Sequence, residues 1–510
     1  EERMGIRVLV LASLLNVALG FSSTPLPSLR QASARTPAHA SSKSLRMALS
    51  PPPGRKGFFT GIKESLQYIF DGDAFIKKRV EEFGPVFSAK IFFLPTVVVG
   101  GADNVEEFLS KEGAVMESSL PPALQKLFTE DNLLLQSGER HAATKKVVSR
   151  LIDAEAMKTF LPTIERRAEE HVAGVASRGE TALAKEFTSW NLQLFAELFG
   201  GCQLTEEEEE LFVTYNAGLF ALAEWEPSFK KAERARQTLE RSFAARFKAM
   251  KEDGSISEPK NYCYRMMMEH GKEMDGTPYS DLRVGFGITT MIWGAYVESA
   301  SLMSSAVIQT ASRPEVVNRI RAEAAALASD GGGFRGSMSD WNLPYVNGVL
   351  RECLRTAPPA GGGFRKSHKV INVGGFDIPA GTVVTADPRP GNLDEGTFLE
   401  AESFAPERWV SEEELGPSKC PMSRVVAGAR SLPTGAWFPG GTGVHKCPGV
   451  PLAELVSRAM IVNWVDKLDE WTPTTKLDYI VPSPIKIPKD TFEMSVTPRA
   501  ASPGVGGSEL

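Results

Sequence analysis

The 510-residue chain has only five cysteines, Cys202, Cys263, Cys353, Cys420 and Cys447. Their number is odd, their spacing wide, and no C-x-x-C pair occurs. Neither a disulfide framework nor a structural zinc site is expected. There is no basic excess: 57 Lys plus Arg against 63 Asp plus Glu leave a net charge of −6. A nucleic-acid-binding face is therefore not expected. No uninterrupted apolar run reaches the roughly 20 residues that a spanning helix needs, so only peripheral contact with a membrane is left open. The phosphate-cradling G-x-x-x-x-G-K-[ST] pattern is also missing. What remains, 42% hydrophobic and 24% charged, is an ordinary globular balance, in a chain long enough to bury its own core.

Residues 3–63 lack Asp and Glu altogether but carry nine basic residues. Arg3 and Arg7 precede the apolar run Val8–Leu19, and small Ala18 and Gly20 follow, which reads as a signal peptide over residues 1–20. Residues 21–50 are Ser-, Ala-, Thr- and Pro-rich and acid-free, as transit peptides are. Signal then transit, with Phe21 at the junction, resembles the bipartite plastid leader of algae with secondary plastids. The alternative is a short endoplasmic-reticulum anchor with a Pro-rich hinge.

The rest reads as one large catalytic domain over 55–498, mainly α with small β-sheets, and a disordered tail over 500–510. Phe83–Phe87 and Pro95–Gly100 predict a hairpin. From about Asn104 to Arg355 the apolar spacing is mostly helical. Thr205 before Glu206–Glu210 predicts a helix cap. Asp330–Gly336 reads as a loop, Val370–Thr385 as short strands, Leu452–Leu468 as an apolar helix, and His39, His171, His270 and His368 as surface residues.

The sharpest local pattern is Trp437–Gly449, WFPGGTGVHKCPG. His445 and Lys446 beside Cys447, and a helix starting near Pro451 whose N–H groups face back at the sulfur, favour a thiolate. A thiolate presented by backbone amides is what a haem iron needs. Standing alone, the loop also reads as a buried structural cysteine in a turn. Upstream lie Glu352-x-x-Arg355 in an apolar helix, Pro358–Arg365 (PPAGGGFR), and Pro406-Glu407-Arg408-Trp409.

Taken together these motifs resemble the cytochrome P450 superfamily, over most of the chain. The PP-x-GGGFR segment is closest to the branch of retinoic-acid hydroxylases and their cyanobacterial relatives. The resemblance implies a haem b (iron protoporphyrin IX) with Cys447 as its axial metal ligand. It implies haem contacts from Phe438, Gly443, His445, Arg365, His141 and Lys145, and a buried brace of Glu352, Arg355 and Arg408. It places Glu298-Ser299 on the acid–alcohol pair that relays protons for dioxygen activation. Independently, a carboxylate in the middle of the apolar helix expected over Ser280–Arg313 is costly unless it has a use or reaches solvent.

Two positions depart from the family pattern. Tyr296 stands where a glycine usually opens the helix, and is expected to crowd the distal site or lend its hydroxyl. Phe438 lies nine residues before Cys447 rather than the usual seven, which puts Gly440 in the usual Phe slot. A lengthened cysteine loop and an altered distal helix resemble the allene-oxide-synthase and peroxygenase branches. Three functions follow. The first is a monooxygenase acting on an apolar substrate (carotenoid, apocarotenoid or fatty acyl), with electrons from a separate donor such as ferredoxin or a reductase. The second is a reductant-independent hydroperoxide rearranging enzyme or peroxygenase. The third is a non-catalytic haem-binding protein.

Overall fold

The computed structural model describes residues 50–500 except 114, 222, 330–342, 411–431, 434 and 481–484. The leader, the loop at Asp330–Gly336, Cys420 and nearly all of the tail lie outside the described residues. The described residues are mainly helical, with small sheets, as expected.

The helices of seven residues or more, in chain order, are α1 (Phe58–Phe70), α2 (Gly72–Phe83), α3 (Ala102–Leu109), α4 (Pro122–Phe128), α5 (Gly138–Arg150), α6 (Ala154–Arg178) and α7 (Leu183–Gly200). They continue with α8 (Glu206–Ala217), α9 (Pro227–Asp253), α10 (Tyr262–His270), α11 (Asp281–Ala311), α12 (Pro314–Ser329), α13 (Pro344–Thr356) and α14 (Val450–Lys467). The cap at Thr205 forms as expected. Its hydroxyl accepts from the Glu208 amide while the Glu208 carboxylate takes the Thr205 amide, a reciprocal capping box.

The strands are β1 (Val86–Ile91), β2 (Leu94–Val99), β3 (Met116–Ser118), β4 (Glu180–Ala182), β5 (Phe364–Ser367), β6 (Ile371–Val373), β7 (Phe376–Ile378), β8 (Val383–Ala386), β9 (Leu468–Pro473) and β10 (Glu493–Pro498). One sheet runs β1-β2-β8-β5-β3, a second β4-β10-β9, and β6 pairs with β7. The expected hairpin is β1–β2, registered from Val86↔Val99 to Ile91↔Leu94. Its turn is Phe92-Phe93, both at positive φ, the backbone twist that suits a two-residue hairpin turn. The five-stranded sheet matters for function because β5 carries Arg365 and pairs antiparallel with β3 and β8.

Helix α11 runs through the main core, packed by α7, α9, α13 and α14. It is apolar on nearly every side, as a helix buried all round must be. Its closest approach to α9 depends on Gly285, where a Cβ would lie 2.2 Å from the Glu240 carbonyl oxygen. Among the described residues no helix is long and apolar enough to cross a membrane.

His270 and His368 are exposed, as expected. His171 is not a surface residue. It is half-buried between the rings of Phe187 and Trp190, and burial lowers its pKa to about 4.

Candidate functional site

Cys447 is fixed by its own loop. Its amide donates to the Gly440 carbonyl at 2.8 Å. Gly440 sits at φ 70°, and a Cβ there would lie 2.4 Å from Val450 Cγ2 and 3.1 Å from Cys447 Cβ. A phenylalanine in that slot cannot be accommodated. Phe438 instead lies buried with Val97, Val99 and Val384 in the core beside the five-stranded sheet. The loop ends where α14 begins, and the Gly449 amide donates to Cys447 Sγ at 3.4 Å.

Cys447 is exposed as a residue, yet burial by surrounding protein pushes its thiol pKa up, against the hydrogen bonds from the Gly449 and Val450 amides. Accessible surface together with desolvation means that Sγ faces an enclosed space, not open water. His445 and Lys446 do not set the thiol's state as expected. His445 turns its ring to Glu112, and burial dominates.

The same space is fronted by α11. Met291, Gly294, Ala295 and Glu298 are partly or fully accessible in the middle of this helix, and their spacing puts them on one face. A Cβ on Gly294 would meet nothing within 4 Å. Glu298 has a buried oxygen, Oε2, with no hydrogen-bond partner, and burial raises its pKa to about 7. It is close enough to Cys447 for its charge to raise the thiol pKa further. Ser299 is buried beside this face, 2% exposed.

Tyr296 lies on the other side of the helix. It is 1% exposed and packs on Phe212 with ring centroids 6.4 Å apart. It neither crowds the space in front of Cys447 nor offers its hydroxyl there. Two residues back from the carboxylate is about 200° around a helix, which turns the ring away.

The four basic residues among the implied haem contacts, His141, Lys145, Arg365 and His445, do converge. His141 and His445 stack with ring centroids 4.1 Å apart. Lys145 Nζ donates to the Val444 carbonyl. Arg365 Nε donates to Glu112, which also accepts from His445 Nδ1 at 2.9 Å. His445 Nε2 lies 3.0 Å from the Gln136 carbonyl. His141 Nε2 is buried with no partner, and burial, then the His445 and Lys145 charges, lower its pKa to about 4. Gly443 adjoins the cluster at φ 71°, its Cα face against Glu112. Sequence reasoning missed Glu112: Lys-Glu-Gly after a helix carries no motif.

Behind the cysteine loop lies the expected brace. Glu352 accepts from Arg355 at 2.7 and 2.9 Å, from Arg408 Nε at 3.1 Å, from Trp409 Nε1 at 2.8 Å and from the Ala405 amide at 2.9 Å. Arg355 also donates to the carbonyls of Asn392, Ala401 and Ser403. The Trp409 ring packs on Trp437 at 4.5 Å, tying the brace to the start of the cysteine loop.

These features fit a haem. A desolvated sulfur backed by amides suits an iron ligand, since a bound metal deprotonates a coordinating thiol outright. The orphaned His141 Nε2 and the Lys145 ammonium suit a carboxylate-bearing ring.

Comparisons with known proteins agree. Residues 51–476 match the family model described as Cytochrome P450. Cytochrome P450 26B1 of Xenopus tropicalis is 25% identical over 502 residues, covering 95% of this chain and 92% of the relative. The Homo sapiens protein of that name is 26% identical over 446 residues, covering 83% and 82%. The solved structure of retinoic acid bound cyanobacterial CYP120A1 superposes with a TM-score of 0.76 at 24% identity, covering 89% of this chain and all of that one, a likeness of fold. The match spans the brace, α11 and the cysteine loop alike, and the chain belongs to the cytochrome P450 family, monooxygenases that bind haem through a cysteine thiolate.

Proposed function

We propose that the chain inserts one oxygen atom from dioxygen into an elongated apolar substrate of the carotenoid, apocarotenoid or fatty acyl class. Cys447 is the axial ligand in this reading. The observation that carries it is the Cys447 sulfur, backed by the Gly449 and Val450 amides, facing the same enclosed space as the Glu298 carboxyl. The retinoic acid bound to cyanobacterial CYP120A1 supports a polyene substrate.

When bound, the haem supplies the dioxygen activation and redox chemistry. The protein's own groups do the rest. The two amides at the start of α14 temper the charge on the sulfur. Glu298 Oε2, unpaired and able to change protonation near neutrality, accepts and passes on a proton within the enclosed space. Gly294 leaves room for substrate along the accessible face of α11. Electrons come from a separate protein such as ferredoxin, and the acid-free leader directs the chain to a plastid. A fluorescent fusion to residues 4–50 tests that address; secretory-membrane fluorescence would refute it.

The non-catalytic reading drew on a tyrosine crowding the distal site, and the hydroperoxide reading on that tyrosine and the longer cysteine loop; Tyr296 does not stand there, while the longer loop remains. Reduced protein under carbon monoxide should show the thiolate spectrum, and Cys447→Ser should abolish it. Survival of that spectrum in the variant would refute the ligand assignment. Conversion of a fatty-acid hydroperoxide by ferric protein without reductant would instead revive the second reading.

A further inference from the structure

Helix α11 must present Glu298 to the space in front of Cys447, yet its own surface does little to fix how it is turned. It is buried on nearly every side by apolar packing, which has no direction. A rotation by one residue is about 100° and would take the carboxyl out of that space. Directional contacts from other elements have to set the rotation.

Two such contacts lie beyond Glu298. The Ser301 hydroxyl donates to the Lys486 carbonyl, and Trp471 Nε1 donates to the Val307 carbonyl at 3.0 Å. A third sits in the turn that carries Glu298 itself. Asn191 Nδ2, on α7, donates to the Tyr296 carbonyl at 3.0 Å. A helix carbonyl serves the amide four residues on, and its second lone pair is free to take the asparagine.

Asn191 is 0% exposed, and its Oδ1 has no partner. A leucine would fill a similar volume without leaving an atom unmet, so stability alone does not account for an asparagine here. Turning the amide over would set two acceptors face to face, which fixes its orientation. Tyr296 is thereby gripped at both ends, its ring against Phe212 and its carbonyl by Asn191. With Tyr296 held on that side, Glu298, about 200° round the helix, is held toward Cys447.

We propose that Asn191 is a positioning residue for the reaction: its hydrogen bond to the Tyr296 carbonyl sets the rotation of α11, so that Glu298 faces the space in front of Cys447. A single buried asparagine sets the register of paired helices in a similar way. The proposal rests on the reading of Glu298 as the group that passes on a proton.

The test uses purified holoprotein and peroxyphenylacetic acid, a probe that needs neither an electron donor nor the natural substrate. Heterolysis of its O–O bond passes one oxygen to the haem and moves the proton on to the departing carboxylate, giving phenylacetic acid. Homolysis gives a carboxyl radical that loses carbon dioxide and recombines with the hydroxyl left behind, giving benzyl alcohol. The ratio of the two products reads proton placement, and Glu298→Gln is the control. Asn191→Leu should keep the thiolate signature of its ferrous–carbon monoxide complex, with a urea midpoint equal to or above that of wild type. Its ratio of phenylacetic acid to benzyl alcohol should fall roughly three- to tenfold, toward that of Glu298→Gln. Amides of residues 293–300 should exchange hydrogen up to about tenfold faster, the worth of one hydrogen bond, while those of 304–311, held by Trp471, should not.

An unchanged product ratio in Asn191→Leu would overturn the inference. So would wild-type exchange over 293–300, since the helix would then not be held there. Should the leucine variant lose the thiolate signature, Asn191→Ala takes its place with the same expectations for ratio and exchange. Loss of the signature in both would make Asn191 a determinant of folding and overturn the positioning role. An unchanged ratio in Glu298→Gln would instead bring down the proton-transfer reading of Glu298, and this inference with it.

Discussion

At the scale of single residues, Glu298 and Tyr296 have opposite places although they are two positions apart. Glu298 fronts the enclosed space with a pKa raised by burial to about 7, against an ordinary carboxyl value of 4.5. Its carboxyl is protonated below about 7 and ionised above. Proton delivery needs the protonated form, so dioxygen-dependent turnover should fall as pH rises through about 7. Glu298→Gln should lower turnover by roughly a hundredfold and remove that limb of the profile. Stability carries the matching sign. A carboxyl with a raised folded-state pKa contributes stability that declines as pH rises from the usual carboxylate range to about 7 and is level above it. Denaturant midpoints of wild type and Glu298→Gln across that window check this, and a parallel pair of curves would count against the raised pKa.

Tyr296 leads to the reverse expectation. Because its ring lies against Phe212 on the far side of α11, Tyr296→Phe should leave turnover within about twofold, an effect under 1 kcal/mol. Tyr296→Gly should cost about 3–5 kcal/mol of stability, as other large-to-small aromatic truncations do. Steady-state rates and urea unfolding separate the two. A rise in turnover for the glycine variant would place the ring in the active site after all.

At the scale of elements, much was legible where the signal is local. Thr205 and Glu208 are three apart and cap their own helix. Glu352 and Arg355 share a helix face, and Gly440, Gly441 and Gly443 of the cysteine loop sit at positive φ where only glycine is comfortable. What the sequence did not reveal is either long-range or rotational. Glu112 meets partners 253 and 333 positions away, and nothing near it in the chain announces that. The facing of Tyr296 was hidden because α11 is apolar on all sides, so no polar stripe marks which side fronts a cavity. The missing phenylalanine before the cysteine has a local cause that only coordinates expose: Gly440 is pressed against Val450 and Cys447.

The brace joins α13, the Pro406–Trp409 turn and, through Trp409 and Trp437, the cysteine loop. Its charges are fully buried, so removing one member strands the others without water. Arg408→Leu should therefore cost about 3–5 kcal/mol. Urea midpoints report it, and the haem-to-protein absorbance ratio should fall with it, since the loop that presents Cys447 loses its backing. A cost under about 1 kcal/mol would put Arg408 in the class of exposed ion pairs.

At the scale of the whole molecule, a group of unmet polar atoms gathers at one place. His141 Nε2, Gln136 Oε1, Glu112 Oε2, Glu298 Oε2 and Trp437 Nε1 are all buried without partners, and all border the cysteine loop or the space it faces. Others lie in the helical core on the far side, such as His171 Nε2 on α6 and Asn191 Oδ1 on α7, within packing that is largely apolar. Each unmet buried group weakens the protein by about 1–3 kcal/mol relative to a satisfied one. A haem that coordinates Cys447 and takes up His141 and Lys145 therefore binds the folded chain and not the unfolded one, and stabilises it by mass action, about 2.7 kcal/mol at a hundredfold excess over its dissociation constant. Extracting the haem should lower the unfolding temperature, and the loss should be local in origin. Backbone amides of α5, of β5 and of residues 437–449 should exchange hydrogen faster in the apoprotein. Those of α6 and α7 should change less, because they reach the site only through α14 and α11, which pack on them. Uniformly faster exchange over all helices would mean instead that the core and the haem site unfold as one unit.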